Sequence, residues 1–321
     1  MITIFASPKP FTDPHINMIQ RNAIQSWMAL RPTCDIILFG DEPGTSEIAE
    51  EFNLKHVPNV ECNKEGLPLV RDMFHRAEII SKFDILTYIN ADIILFSDFT
   101  EAVTNVQQYI AGQPFLMVGQ RFDLEITELI NFSTSAWKSN LRRQITTDGK
   151  LHGESGIDYM VFVRGLWTDV PPIVIGRIAY DNWLIFKART LGFPVVDATK
   201  VVTAIHQKHQ YVFNGFIQEV NGQEKLNPDF MYWRRCCPEA IKQLQMTGGD
   251  RCLFNIGDAS HILSNGGLNR VPLTVKRIFR CIDQMQAFHK GKPTEPLFIG
   301  LKLLAKQILI IKRLTTKLSR Q

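Results

Sequence analysis

The chain has 321 residues, of which 45% are hydrophobic and 21% are charged, with 20 Gly and 16 Pro. This composition excludes a disordered, collagen-like or disulfide-scaffold protein, because it provides enough apolar surface for one large domain or two ordinary ones. The 36 basic and 32 acidic residues give a net charge of +4, which is too small to indicate a nucleic-acid-binding protein.

The charge is spread unevenly along the chain. Residues 271–321 carry 11 Lys and Arg but only two acidic residues, a net charge of +9, so residues 1–270 carry −5. The six cysteines form no CxxC pair, and Cys236 and Cys237 are adjacent, which favours a reducing cytosol. We see neither a signal-peptide pattern nor a stretch of about 18 apolar residues that would span a membrane. The expected location is therefore cytoplasmic.

Strands and helices alternate in the first third of the chain. Apolar runs and helical spacing predict, in order, strand 2–5, helix 16–30, strand 34–39, helix 45–52, strand 54–57, helix 68–82 and strand 85–89. This alternation is typical of an open α/β sheet with right-handed crossovers. Such sheets bind ligands beyond the carboxyl ends of their strands, so we expect the loops after Phe5, Phe39 and Ile89 at one rim.

The middle of the chain continues the alternation less clearly. Its patterns predict helix 124–145, strand 157–163, helix 181–190 and strands 193–196 and 200–205. No repeat, low-complexity tract or flexible linker is visible before residue 270. We therefore predict one catalytic α/β domain over 1–270, with a mostly parallel central sheet flanked by helices, followed by a helical extension over 271–321.

The strongest local motif follows the strand at 85–89, where the chain reads Asn90, Ala91 and Asp92. Two oxygen-bearing side chains spaced two residues apart can point to the same side of a loop. Hard divalent cations such as Mg²⁺ and Mn²⁺ prefer oxygen ligands of this kind and complete their coordination with water and phosphates. The alternative is that Asp92 only caps the following segment, because short strings of this type are common.

Longer segments carry a family resemblance, and these segments read ITIFASPKPF, IILFGDE, LPLVRDMFHRA, DILTYINADIILFSDF, SGIDYMVFVRG, IGRIAYDNWLIFKAR and VVDATKVVTAIHQKH. Over residues 1–270 they resemble bacterial and plant glycosyltransferases of the GT-A fold, in the nucleotide-diphospho-sugar transferase superfamily. The resemblance implies a nucleotide-sugar donor and a divalent metal, Mn²⁺ or Mg²⁺, held at an Asp-x-Asp motif. Asn90, Ala91 and Asp92 occupy that place. Because Asn90 replaces the first Asp, Asp92 is expected to be the principal protein ligand.

The resemblance also implies a late histidine as a metal ligand. His206 follows the apolar run VVTAI and fits that position, and His209 is a second candidate. A neutral imidazole can coordinate Mn²⁺. The alternative for either residue is an ordinary histidine that orients a loop.

Two carboxylates are candidates for catalysis. Asp181 lies between Tyr180 and Trp183, where partial burial would raise its pKa and suit it to act as the general base of an inverting enzyme. Its alternative role is to cap a helix. Asp158 is the rival, because it could contact the donor sugar or, in a retaining enzyme, lie near the anomeric carbon.

The residues expected around the nucleotide are Ala6, Ser7, Pro8, Asp41, Arg71 and Asp72. The first three would line the base, and Asp41 would accept hydrogen bonds from the base or ribose. Arg71 and Asp72 would reach the nucleotide or hold the rim loops in place, unless they form a surface ion pair or cap.

Four aromatic residues divide into two pairs. Trp27 and Trp137 fall on the apolar faces of predicted helices, so they are expected in the core. Tyr180 and Trp183 are the better candidates for stacking on a sugar ring.

The C-terminal segment 296–321 combines leucines and isoleucines at helical spacing with six basic residues and no acidic one. A helix of this composition can lie in the headgroup region of an anionic membrane, at its cytoplasmic face. The alternative is a terminal helix packed on the body or on another subunit.

These patterns predict a metal-assisted glycosyltransferase that moves a sugar from a nucleotide-diphospho-sugar to a hydroxyl of a glycan or lipid-linked glycan. No P-loop, GxGxxG after the first strand, HExxH or GxSxG motif supports another chemistry. The alternatives are a non-catalytic nucleotide-sugar- or glycan-binding protein that retains the fold, and a membrane-associated scaffold acting through its basic tail.

Overall fold

The computed structural model describes residues 1–209 except 65, 135 and 177–179, residues 254–272, two paired strands at 217–220 and 223–226, and scattered positions from 274 to 307. Its helices are Pro14–Met28 (α1), Thr45–Glu51 (α2), Val70–Ile80 (α3), Ser97–Ile110 (α4), Ala136–Asp148 (α5) and Tyr180–Thr190 (α6). Its strands are Ile2–Ala6 (β1), Asp35–Phe39 (β2), Lys55–Val57 (β3), Ile85–Ile89 (β4), Ile93–Leu95 (β5), Leu116–Val118 (β6), Phe122–Leu124 (β7), Lys150–Leu151 (β8), Tyr159–Val163 (β9), Val195–Asp197 (β10), Ala204–Gln207 (β11), Ile217–Val220 (β12), Gln223–Leu226 (β13), His261–Ser264 (β14) and Gly267–Arg270 (β15).

Within the described residues, the largest sheet has nine strands in the order β15-β14-β10-β6-β9-β4-β1-β2-β3. Most neighbouring pairs are parallel; β9 runs antiparallel to β4 and β6, and β15 runs antiparallel to β14. A second sheet has the order β5-β11-β7-β8. The predicted α/β fold with a mostly parallel central sheet is confirmed.

Both faces of the central sheet are covered, which explains why β1 and β4 are buried at every position. Successive side chains alternate between the faces, so Ile4 belongs to one buried cluster and Phe5 to the other. Trp27 of α1 lies in the first cluster, and its indole N–H donates to the Ile93 carbonyl oxygen over 2.8 Å. Asp13 caps α1 by accepting hydrogen bonds from two backbone N–H groups of its first turn.

The least accurate part of the sequence interpretation is the predicted helix 124–145. The structure instead has β7 over 122–124 and α5 over 136–148. Asn131 separates them, because its side chain accepts a hydrogen bond from the Ser133 N–H over 3.0 Å and forms a turn. The elements β5, α4, β6, β8 and β12 to β15 were not predicted, and the strand expected at 200–205 lies at 204–207.

The strand directions bring several loop residues to one edge of the sheet. Strands β2 and β4 are both parallel to β1, so the loops after Phe5, Phe39 and Ile89 meet at one rim, as predicted. Strand β9 runs the opposite way and pairs Tyr159 with Ile89, which brings the residue before it, Asp158, to the same rim. We call this edge the carboxyl-end rim.

Most of the predicted extension over 271–321 lies outside the described residues. At its start, the Arg277 guanidinium donates to the carbonyl oxygens of Ala259 and Gly257, each over 2.6 Å. No helix among the described residues is long and apolar enough to cross a membrane. The division at residue 270 stays a prediction.

Candidate functional site

Asp92, His206 and His209 form a cluster beside the carboxyl-end rim. One ligand atom of each residue lies within 4.8 Å of the others. The Oδ2 atom of Asp92 is 3.0 Å from His209 Nε2 and 3.7 Å from His206 Nε2. The other carboxylate oxygen, Oδ1, is buried and has no hydrogen-bond partner among the described residues. Burial of an acceptor without a partner destabilises the folded protein, and a bound cation would supply the missing partner. The carboxylate and the two imidazoles are also groups that bind metal ions.

Electrostatics prepare Asp92 for a cation. Burial alone would raise its pKa, but the hydrogen bond to His209 and electrostatic interactions with His206, Lys9 and His209 lower the pKa of Asp92 to about 2. The carboxylate is therefore ionised at neutral pH.

Lys9 is a site residue that the sequence motifs did not single out by charge. Its Nζ atom lies 3.3 Å from His209 Nε2. Its backbone is fixed by the Gln20 side chain, which accepts from the Lys9 N–H over 2.7 Å and donates to the Lys9 carbonyl oxygen over 2.9 Å. Lys9 thus adds a positive charge to the rim where an anionic ligand would lie.

Asn90 uses the polar atoms of its side chain in contacts outside this cluster. Its Nδ2 atom donates to Asp158 Oδ1 over 2.8 Å, and its Oδ1 atom accepts from the hydroxyl groups of Tyr88 and Tyr180, over 3.2 and 3.5 Å. An ionised aspartate could not donate to Asp158, so the amide suits this position. Ala91, between the two polar residues, is buried.

Asp158 is buried and uses both of its carboxylate oxygens. Asn90 donates to Oδ1, and the Arg121 guanidinium forms an ion pair with Oδ2. Arg121 also donates through Nε to Asp123 Oδ1 over 3.1 Å. Because both oxygens are occupied, the geometry favours a positioning role for Asp158 over direct contact with an anomeric carbon. The predicted contact of Asp158 with the donor sugar or the anomeric carbon stays a prediction.

Asp181 lies in the first turn of α6, where its Oδ1 atom accepts from the Asn182 N–H over 2.8 Å. Burial, aided by the negative charge of Asp158, raises the pKa of Asp181 to about 7 despite that hydrogen bond. The raised pKa suits a general base, and the contact with Asn182 joins neighbouring residues of the helix. The roles of Asp181 as a general base and as a helix cap both stay predictions.

The predicted nucleotide-binding residues divide between the rim and a neighbouring connection. Ala6 and Pro8 are buried, Ser7 is half-buried and Asp41 is exposed.

The other two candidates, Arg71 and Asp72, contact the connection between β3 and α3. Arg71 pairs with Glu61 over 2.5 Å, and Asp72 accepts from the Glu61 N–H and from Arg76, each over 2.8 Å. These contacts hold the connection in place, which is the structural alternative predicted for the pair.

The aromatic candidates are all buried. Trp27 and Trp137 lie in the core, as predicted. Tyr180 and Trp183 are each 6% exposed and belong to the second core cluster, which leaves little ring surface for stacking on a sugar. The Tyr180 hydroxyl instead reaches Asn90.

No protein-family model and no curated protein matches this sequence. Among solved structures, S. aureus TarS 1–349 in complex with UDP-GlcNAc is 12% identical, with a TM-score of 0.47 over 91% of this chain and 74% of that chain. The same TarS fragment in complex with UDP matches 40% of this chain and 38% of that chain, at 11% identity and a TM-score of 0.31. This match thus spans well under half the length of the solved chain.

A third similar structure is glucosyl-3-phosphoglycerate synthase from Mycobacterium tuberculosis with Mg²⁺ and UDP. It is 11% identical, with a TM-score of 0.40 over 85% of this chain and 88% of that chain. Likenesses of this degree say nothing about the activity of this chain, which depends on its own site.

Proposed function

We propose that this chain is a metal-assisted glycosyltransferase that moves a sugar from a nucleotide-diphospho-sugar to a hydroxyl group of a glycan or glycolipid. The observation that carries the proposal is the buried Asp92 Oδ1 atom, which lacks a hydrogen-bond partner among the described residues and lies beside His206 and His209. The cluster sits at the edge of an α/β sheet where ligands bind.

Asp92, His206 and His209 would hold the cation. A set of one carboxylate and two imidazoles suits Mn²⁺ better than Mg²⁺, which prefers oxygen ligands. When bound, the cation supplies electrostatic stabilisation of the negative charge that develops on the leaving nucleoside diphosphate. Lys9 would contribute a second positive charge toward the same diphosphate.

Asp181 would act on the acceptor. As the bond between the acceptor oxygen and the anomeric carbon forms and the bond to the phosphate oxygen breaks, the hydroxyl proton would pass to the Asp181 carboxylate. A base whose pKa is about 7 is matched to this transfer near neutral pH. This role corresponds to an inverting reaction.

The donor would lie along the rim loops. Ser7 and Asp41 are the candidates that remain accessible to the nucleotide, because Ala6 and Pro8 are buried and contribute backbone and shape only. Asn90, through Asp158, would fix the floor beneath the sugar.

Asn90 favours a second candidate function, a non-catalytic protein that binds nucleotide-sugars. A residue other than aspartate at this position is what a degraded metal motif would show. The hydrogen bond from Asn90 to Asp158 explains an amide at this position without loss of a metal site, so catalysis is the better-supported proposal.

Thermal-shift measurements with a panel of nucleoside diphosphates and nucleotide-sugars, with and without Mn²⁺, test the proposal. A ligand at about 100 times its Kd adds about 2.7 kcal/mol to the free energy of unfolding, so a cognate donor should raise Tm only when Mn²⁺ is present. Asp92→Ala should lose this effect, whereas Asp35→Asn, at the other end of the sheet, should keep it.

Turnover separates the two candidates. Release of nucleoside diphosphate in the presence of hydroxyl acceptors, abolished in Asp92→Ala, would support the transferase. Mn²⁺-dependent binding without turnover on any acceptor would favour the binding protein. Wild-type turnover in Asp92→Ala would contradict the proposed metal site.

We also propose that residues 296–321 contact an anionic membrane surface. Leu297, Leu301 and Leu304 follow helical spacing and are 62%, 40% and 54% exposed. The segment carries six basic residues and no acidic one, which complements anionic headgroups.

Sedimentation with vesicles tests this contact. The full chain should sediment with vesicles that contain phosphatidylserine and remain in solution with neutral vesicles. Deletion of 296–321 should abolish sedimentation. Unchanged sedimentation of the truncated chain would contradict the membrane proposal. A full chain that forms a dimer, with a truncated chain that is monomeric, would also contradict it.

A further inference from the structure

A carboxylate outside the metal cluster contacts one of its histidines. Asp123 and His206 are directly paired in the parallel strands β7 and β11. His206 Nδ1 lies 3.2 Å from Asp123 Oδ1, and the two side chains are only 4% and 17% exposed. No sequence motif points to Asp123, because the contact depends on the pairing of two strands that are far apart along the chain.

The contact leaves the two ring nitrogens of His206 with different surroundings. Nδ1 faces Asp123, and Nε2 faces Asp92 at 3.7 Å. Histidines that bind metals through one nitrogen usually donate the other N–H to a carboxylate or carbonyl oxygen, which fixes the tautomer and makes the ring more basic. At 3.2 Å the two atoms are within ion-pair distance but outside hydrogen-bond geometry, so a small rotation of the ring would let Nδ1–H donate to Asp123 while Nε2 turns to the cation.

Asp123 is itself held rigidly. Arg121 Nε donates to its Oδ1 over 3.1 Å, and His152 Nδ1 is 2.8 Å from its Oδ2. The His152 N–H donates to the Arg121 carbonyl oxygen over 2.8 Å, which ties both partners to each other. A carboxylate fixed on two sides can define the orientation of the third group that it contacts.

Arg121 extends the network to the other side of the rim. It pairs with Asp158, which accepts from Asn90. Asn90 is two residues from Asp92. The contacts therefore close a ring of side chains that returns to the metal cluster through the backbone of the motif.

From these contacts we propose that Asp123 is a positioning residue of the metal site, which holds His206 with Nε2 directed at the cation. The proposal rests on the metal site of the proposed function. Asp123 does not contact the cation, donor or acceptor, so its substitution acts through His206.

The test titrates Mn²⁺ alone into the full chain by calorimetry. Asp123→Asn should bind Mn²⁺ about 10- to 100-fold more weakly than the wild type, the range that is typical when such outer partners are lost. In turnover assays the apparent KM for Mn²⁺ should rise by the same factor, while kcat at saturating Mn²⁺ stays within about twofold. Asp35→Asn is the matched control and should bind Mn²⁺ as the wild type does.

The outcomes separate this inference from the function on which it rests. Wild-type Mn²⁺ affinity in Asp123→Asn, together with lost binding in Asp92→Ala, overturns the positioning role and leaves the metal site standing. A wild-type protein that binds no Mn²⁺ overturns both.

A measurement on the wild type covers the case in which Asp123→Asn does not fold. With Zn²⁺ as a diamagnetic probe, ¹⁵N–¹H NMR spectra should show His206 protonated at Nδ1. Protonation at Nε2 would overturn the proposal.

Discussion

The two ends of the central sheet use the same residue types in different ways. At the end opposite the carboxyl-end rim, Asp35 and Lys55 form a single pair over 2.5 Å, with 25% and 34% of their side chains exposed. At the rim, Arg121 serves two carboxylates, and its side chain and that of Asp158 are 10% and 7% exposed. Exposed pairs add little stability, whereas buried charges that share partners are costly to break. Buried, shared charges therefore mark the functional end of this sheet.

The largest expected effect at the rim is on catalysis. Asp181→Asn should lower kcat about 10²- to 10⁴-fold, because the amide cannot accept the acceptor proton. Wild-type activity should rise with pH through about 7, as Asp181 ionises. Kinetics from pH 5 to 9 measure both effects. A variant that keeps the wild-type kcat and pH profile would show that Asp181 only caps α6.

The same substitution should also stabilise the fold at high pH. The pKa of Asp181 is raised from its usual 3.8 to about 7, so the folded state loses stability as pH rises from the lower value through the higher one. At about 1.4 kcal/mol for each unit of pKa, Asp181→Asn should gain up to a few kcal/mol above pH 7 and nothing below pH 4. Urea unfolding at pH 4 and pH 8 measures the difference.

Removal of the Arg121 guanidinium, which two carboxylates share, should have the next largest effect. Arg121→Met leaves the buried Asp158 and the partly buried Asp123 without their common partner, so the free energy of unfolding should fall by about 3–5 kcal/mol. Arg71→Met breaks an exposed pair and should cost at most about 1 kcal/mol. Urea denaturation compares the two variants, and equal losses would remove the contrast between buried and exposed pairs.

A change of Asn90 to the residue typical of the metal motif sharpens the comparison. Asn90→Asp replaces the donor to Asp158 with a second carboxylate, so stability at pH 8 should fall by about 1–3 kcal/mol. The variant should bind Mn²⁺ no more tightly than the wild type, because the side chain at position 90 bonds to Asp158, Tyr88 and Tyr180 and not to the cluster. Tighter Mn²⁺ binding with unchanged stability would show that Asn90 is a degraded metal ligand.

The smallest effect is expected at the opposite end of the sheet. Asp35→Asn breaks the pair with Lys55 and should change the free energy of unfolding by about 0–1 kcal/mol. Mn²⁺ affinity and turnover should not change. A large loss of either would mean that the two ends of the sheet are coupled.

The sequence predicted the features that depend on local pattern. Apolar runs identified the central strands, and the family resemblance pointed to Asp92, His206 and His209. The roles of Asp123 and Arg121 could not be predicted, because each depends on strand pairing across many residues. The hydrogen bond from Asn90 to Asp158 could not be predicted for the same reason, because Asp158 directly precedes β9, which runs antiparallel to β4.

Predicted ligand contacts depend on the fold as well as on the residue type. Trp183 and Tyr180 are aromatic residues of the kind that stack on sugar rings, but the packing of α6 buries them. Arg71 and Asp72 have charges that suit a nucleotide, yet both bond to Glu61. Composition identifies what a side chain can do, whereas neighbours far along the chain decide which of its atoms are accessible.

The span of the metal cluster along the chain also bears on how the protein folds. Asp92 and His209 are 117 residues apart, and Lys9 is 200 residues from the same histidine. Contacts of such sequence separation form only after the intervening chain has been ordered, at a large cost in loop entropy. A partly folded chain would hold Asp92 without its histidines. Metal affinity should therefore develop late in refolding, after the first strands and helices have formed.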